Sequence, residues 1–474
     1  MRFLTWLILS FSLKALNAGS DANQPNVLVV MTDEHHYKTL SCYGSTIVQT
    51  PHIDSIARSG AICDAFYATT PVCSPSRASF MTGLYPQNTG VPQNNLPLKA
   101  DIATFASVLK ERGYQTGYAG KWHLEGQGKP QWAPPRKFGF SDNRFMFNRG
   151  HWKRFGFKDA QPIVDAHNAK GIPSYDLNNA SNKSFSTDWL TDRAIDFIRS
   201  QASSPFCYVL SLPDPHGPNT VRAPYDNMFK NQAIPIPSTL RKPQNQIPEW
   251  ARPDTKLREA TLRNIMPAYY GMVKCIDDNI GRLLAELDRL KLKEKTILVF
   301  TSDHGDLCGE HGRLNKGVPY EGSARIPFLL SFPGNVPKGT RVSQALATVD
   351  FMPTLLGLMN IPSPAPLQGR DASSLFNGRH DGEWLDYAVL RGTSGGRWLT
   401  VISEKRKLVL SREDNPWLFD LNLDPDERTN RFHHPAARDD LLTLTRHLDS
   451  YLNLTADEFA EHPTMAKHIQ ALPR

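Results

Sequence analysis

The sequence predicts an α/β protein: one large, mainly parallel sheet flanked by helices, with a smaller C-terminal α+β subdomain. Three observations carry this. Short apolar, β-branched runs alternate with segments of helical periodicity, which is how a sheet with crossover helices reads. Four of those runs end in charged or imidazole side chains, and the carboxyl edge of an open α/β sheet is where ligands bind. After about residue 375 the alternation gives way to closely spaced short strands.

Taken in order, the chain opens with Arg2, the apolar run Phe3–Leu13, Lys14 and then small residues through Ser20. A positive start, a short apolar stretch and small residues predict a secretory signal peptide over 1–19, hence a secreted or periplasmic protein. No segment has the roughly 20 consecutive apolar residues of a membrane span. Val27–Met31 predicts a strand ending at Asp33-Glu34, and Thr116–Gly120 a strand ending at Lys121-Trp122-His123. Cys207–Leu212 ends before Asp214-Pro215-His216, and Ile297–Thr301 ends at Asp303-His304. Helical periodicity covers Ala103–Arg112, Asp188–Arg199 and Ile265–Leu290. These elements define a catalytic domain over 25–375. Tyr387–Leu390, Trp398–Ile402 and Leu408–Ser411 read as antiparallel strands and Asp439–Asn453 as a terminal helix, giving a subdomain over 376–474.

The balance of 54 Lys and Arg against 47 Asp and Glu gives a formal charge of +7. It includes no long basic run of the kind a nucleic-acid groove uses, so nucleic acid is not an expected partner. Six cysteines are scattered without metal-finger spacing. Cys63 and Cys73 are near enough in sequence to pair, but Cys73 reads as otherwise engaged, which leaves an odd five.

The most informative stretch is Thr70-Pro71-Val72-Cys73-Ser74-Pro75-Ser76-Arg77-Ala78-Ser79-Phe80-Met81-Thr82-Gly83. Pro75 suits the first turn of a helix and so places Cys73 at its N-terminus, where backbone N–H groups favour an anion. Arg77, four residues on, faces the same region with a planar fork suited to a tetrahedral oxyanion. Cys-Ser-Pro-Ser-Arg resembles the C-x-P-S-R signature of type I sulfatases, of the alkaline phosphatase superfamily. Further similarities follow in order: Pro25 through Asp33, Gly120-Lys121-Trp122-His123, Thr301 through Gly312 with Asn315-Lys316-Gly317, Asp350 through Leu355, and Leu418 through Pro425.

The resemblance implies an alkaline-phosphatase-like fold and sulfate ester hydrolysis. It implies that Cys73 is oxidised to formylglycine by a formylglycine-generating or anaerobic sulfatase-maturing enzyme, the hydrated aldehyde being the nucleophile. It also implies a divalent metal, calcium in this family, held by Asp33, Glu34, Cys73, Asp303 and His304. Glu34 stands where many members carry Asp, and His304 where Asn or His occurs; imidazole also suits manganese or zinc. Lys121, His123, His216 and Lys316 match the remaining polar positions. Arg77, Lys121 and Lys316 can neutralise sulfuryl oxygens, His216 with Lys316 can protonate the leaving oxygen, and His123 is the candidate base for sulfate release.

Lys129–Lys158 interleaves eight Trp and Phe residues with Arg136, Lys137, Arg144, Arg149, His151, Lys153 and Arg154. Such a segment suits a surface that stacks on sugar rings and binds sulfates, or equally a loop pinned to the core by its aromatics. Together with export and the family likeness it points to a sulfated sugar or polysaccharide. Two alternatives are a phosphonate or phosphate diester hydrolase of the same superfamily, and a non-catalytic sulfated-glycan-binding protein should Cys73 stay a thiol.

Overall fold

A computed structural model describes residues 24–364, 366–379 and 384–474; the predicted signal segment lies outside them. The strands of the main sheet are β1 Asn26–Asp33, β2 Ala61–Cys63, β3 Gln115–Lys121, β4 Asp142–Phe147, β5 Phe206–Pro215, β6 Thr296–Ser302, β7 Phe328–Ser331 and β8 Thr340–Val342. They lie in the order β8-β2-β7-β6-β1-β5-β3-β4. The central run β6-β1-β5-β3-β4 is wholly parallel, and β7 is antiparallel to β6 and β2.

Strand β1 is apolar on both faces because helices cover both. Leu28 and Val30 pack with Ile53, Trp189, Leu190, Ile276 and Ile280 on one side. Val27, Val29 and Met31 pack with Phe80, Phe105, Leu109, Phe351 and Leu355 on the other. The covering helices include α1 Pro51–Ser59, α2 Cys73–Thr82, α3 Phe105–Glu111, α4 Ser186–Ser200, α5 Glu259–Arg289 and α6 Phe351–Leu358. All ten residues of α2 are buried, which explains why it lacks the usual polar face, and it stops where Gly83 turns left-handed and donates to Ser79 O.

The sequence-predicted strands and helices all form, with ends shifted by at most six residues. A third core joins the main domain to a four-stranded antiparallel sheet, Ala388–Arg391, Trp398–Ile402, Arg406–Ser411 and Trp417–Asp420, backed by the helix Arg438–Thr455. All six cysteines are free, so Cys63 and Cys73 are not paired. Among the described residues no helix is long and apolar enough to cross a membrane.

Candidate active site

Four adjacent parallel strands deliver their carboxyl ends to one place. Strand β1 brings Asp33 and Glu34, β6 leads to Asp303 and His304, β3 to Lys121 and His123, and β5 to Asp214 and His216. Helix α2 points its N-terminus into the same spot. Register here needs one special residue: Gly120, with φ +105°, lets β3 pass so close to Ser211 O that any Cβ would collide with it.

Arg77 holds the strand ends together. Its Nε donates to Asp303 Oδ2 at 2.8 Å and its Nη2 to Asp33 Oδ2 at 3.3 Å. Nη1 donates to Lys121 O at 2.6 Å and Ser211 Oγ at 2.7 Å. The guanidinium is wholly buried, so four neighbouring strands depend on one side chain. Lys121 Nζ lies 2.5 Å from Asp33 Oδ2, and burial notwithstanding it holds that carboxyl well below the usual range.

Cys73 Sγ lies 3.1 Å from His304 Nε2 and 3.9 Å from Asp33 Oδ1, and the residue is 2% exposed. Burial pushes its thiol up, but Lys121, Lys316 and His304 outweigh burial and hold it well below the ordinary value. Ligand atoms of Asp33, Cys73, Asp303 and His304 lie within 4.8 Å of one another. Two observations make this set fit a divalent cation. His304 Nδ1 faces Gly305 O at 2.9 Å and donates to it, which turns Nε2 toward the cluster, as a metal-bound imidazole requires. In addition, although burial opposes charge on His304, the Asp303 carboxylate raises it to about 9, so the acidic hollow takes up a proton where a cation would sit.

Glu34 lies beside that set rather than within it. Its Oε2 is 2.8 Å from His216 Nε2 and its Oε1 is 3.0 Å from Lys316 Nζ, while Lys316 Nζ is itself 2.8 Å from His216 Nε2. Burial would raise the Glu34 carboxyl, but His216 and Lys316 bring it down to about 2. His123 Nε2 donates to Asn95 Oδ1 at 3.1 Å, and its buried Nδ1 has no partner. Burial lowers this imidazole to about 4, so it is a neutral base.

Sequence reasoning did not single out His151 as a site residue. Its Nε2 accepts from Lys121 Nζ at 2.8 Å, and its ring stacks on His216 with centroids 3.4 Å apart. Asp33, His151 and His216 also present ligand atoms close together, but the Lys121 and Lys316 ammonium groups already fill that space. His151 lies in irregular chain beyond β4, at no spacing that ties it to the site; only the fold reveals it. Asn94, whose Oδ1 accepts from Ser74 N at 2.9 Å, and Asn95 belong to the same class.

The aromatic basic segment turns out to pack inward. Phe140, Phe147, Trp152 and Phe155 are buried, and Lys153 Nζ is buried 2.6 Å from Asp214 Oδ1. Arg154 pairs with Asp165 and Arg144 with Asp142.

Three buried carboxylates, a nucleophile position at a helix N-terminus and convergent cations define a centre for hydrolysing esters of a tetrahedral oxyanion. Residues 25–361 match the family model described as Sulfatase, and residues 309–453 match that for the N-sulphoglucosamine sulphohydrolase C-terminal region. The chain belongs to the formylglycine-dependent sulfatases of the alkaline phosphatase superfamily and is a sulfuric ester hydrolase. It is 30% identical to an ulvan-active sulfatase of Formosa agariphila across 96% of this chain and 87% of that one. It is 27% identical to an N-acetylglucosamine-6-O-sulfatase of Bacteroides thetaiotaomicron across 89% and 86%. A solved structure with D-glucosamine-2-N,6-O-disulfate bound as its substrate shares the fold, with TM-score 0.75 and 24% identity over 93% of this chain and all of the other.

Proposed function

We propose that this sulfatase acts outside the cytoplasm on sulfate esters of a sulfated sugar or polysaccharide, using formylglycine made from Cys73 by a maturation enzyme and a divalent metal, calcium by family likeness. The observation that carries the reading is the position of Cys73: first residue of a buried helix, beside His304 and inside the four-donor cluster.

The aldehyde, once hydrated, supplies a hydroxyl nucleophile and a second hydroxyl for release, which a thiol cannot. Asp33, Asp303, His304 and residue 73 would hold the metal, which would supply positive charge at the sulfuryl oxygens. Lys121 and Lys316 add to that charge, and Arg77 keeps Asp33 and Asp303 facing inward. His216 Nδ1 donates to Gly217 O at 2.9 Å, which leaves Nε2 between the Glu34 carboxylate and the Lys316 ammonium. A proton held there is available to the departing sugar oxygen. His123, neutral and with a free Nδ1 lone pair, takes the proton whose loss expels sulfate.

Peptide mass analysis spanning Cys73, on protein exported by its natural host, tests the reading: aldehyde in place of thiol is expected. Cys73→Ala should fold normally and retain under about 0.1% of the rate on 4-nitrophenyl sulfate, as loss of a nucleophile does elsewhere. An unmodified thiol in active enzyme, or an active Cys73→Ala variant, would refute it.

A further inference from the structure

We propose that a cavity between the catalytic domain and the C-terminal sheet is a subsite for a second anionic group on the sugar, a uronate carboxylate or another sulfate. The inference rests on the sulfated-sugar reading and extends it to the rest of the substrate.

The cavity measures about 340 Å³, within the range of small-molecule sites. Arg252, Arg313 and Arg397 line it, with Trp250, Trp398 and the glycines of the 392–396 turn. Two of its lining residues, Trp250 and Arg313, carry buried donors, Nε1 and Nε, that have no hydrogen-bond partner. Buried donors without partners are uncommon and call for a partner that the described residues do not supply. The carboxylates nearby do not fill this need. Glu249 pairs with Arg252 and Glu413 with Arg397, but those arginine side chains are 73% and 67% exposed. Exposed pairs of that kind are weak and readily exchanged for a ligand anion. Arg313 has no carboxylate partner among the described residues.

Both walls are tied through neighbouring chain to residues of the catalytic centre. Gly317, on one wall, follows Lys316, and its carbonyl accepts from Trp398 Nε1 at 3.2 Å. The opposite turn touches the 92–95 segment, Ser394 N donating to Pro92 O at 3.1 Å. That segment carries Asn94 and Asn95, which bind Ser74 N and His123. On this proposal a sugar whose sulfate lies at residue 73 extends past Lys316 toward three guanidinium groups, whose planar fork fits carboxylate and sulfate alike.

The test compares four substrates: 4-nitrophenyl sulfate, a monosulfated disaccharide containing a hexuronate, the same disaccharide with its carboxyl reduced to an alcohol, and the reduced form bearing a second sulfate. Wild type should prefer the uronate or disulfated compound over the reduced one by roughly tenfold or more in kcat/KM, and which it prefers identifies the anion. Arg252→Ala/Arg313→Ala/Arg397→Ala should erase that preference and leave 4-nitrophenyl sulfate within about twofold. Arg397→Ala alone, at an exposed position, should lose part of it even should the triple variant misfold. Equal losses on all substrates, or a wild type indifferent to the second anion, would overturn the proposal. Binding of the unsulfated hexuronate disaccharide, by calorimetry, separates the two readings. If wild type carrying the aldehyde cleaves none of the sulfated sugars yet binds this disaccharide, and the triple variant does not, the cavity stands and the sugar-sulfatase reading falls.

Discussion

Lys153→Met discriminates packing from recognition in the aromatic basic segment. Lys153 is fully buried, its Nζ 2.6 Å from Asp214 Oδ1 and 3.2 Å from His216 O, while Thr187 Oγ1 donates to Asp214 Oδ2 at 2.5 Å. Removing the ammonium leaves an uncompensated carboxylate in the core, which typically costs about 3–5 kcal/mol. Arg154→Ala removes a partner of Asp165, a carboxylate 42% exposed, and should cost no more than about 1 kcal/mol. Urea unfolding of the two variants should therefore separate them clearly. Adding Asp214→Asn to Lys153→Met should recover much of the loss, because the orphaned charge is gone. Lys153 also supports the strand end that carries His216, so kcat should fall equally on 4-nitrophenyl sulfate and on a sulfated oligosaccharide. A Lys153→Met protein as stable as wild type, with activity lost only on the oligosaccharide, would refute this reasoning and make Lys153 a ligand contact.

Chelator-treated enzyme should lose activity and regain it with one divalent ion; Asp303→Asn should need far more of that ion, read by metal analysis as well as by rate, whereas unchanged binding would remove Asp303 from the ligand set. His123→Ala should lower kcat by about 10²–10⁴-fold. Since only neutral His123 acts as base, the wild-type rate should rise with pH through an acid limb near 4, and an acid limb near 6.5 would contradict the buried environment. Glu34, lowered from an ordinary 4.5 to about 2, stabilises the metal-free fold fully above pH ~4.5 and progressively loses that contribution as pH falls toward 2. The difference amounts to on the order of 3 kcal/mol, and Glu34→Gln should flatten that part of the stability profile. An unchanged slope would mean that other carboxylates set it.

The central strands were legible because burial on both faces makes them continuous apolar runs: Val27–Met31 and Ile297–Thr301 leave little else to be. The outer strands were not. Ala61–Cys63 and Thr340–Val342 have three residues each, too few for a period, and Phe328–Ser331 is a four-residue antiparallel insertion. Asp142–Phe147, with Asp142, Asn143 and Arg144 at its start, read as part of a basic loop, yet its Met146 and Phe147 enter the two cores on either side of the sheet. At the site, Asp33, Asp303, Lys121 and His216 announced themselves by following apolar runs. His151 and Asn95 did not, because a residue that meets the centre from a loop leaves no periodicity behind. The aromatic density of residues 129–158 was visible, but whether it faced water or core depended on Asp214, some 60 positions away, holding Lys153 from inside.

The enclosure of residue 73 also sets an order of events. Its sulfur is covered by groups from β1, β3 and the 303–316 loop, of which β3 and the loop follow it in the chain, so it is open while those two have yet to join the sheet. Helix α2 leaves the ribosome more than two hundred residues before His304 does. An enzyme that rewrites residue 73 would have to reach it before the sheet closes over it, and closure would end its opportunity.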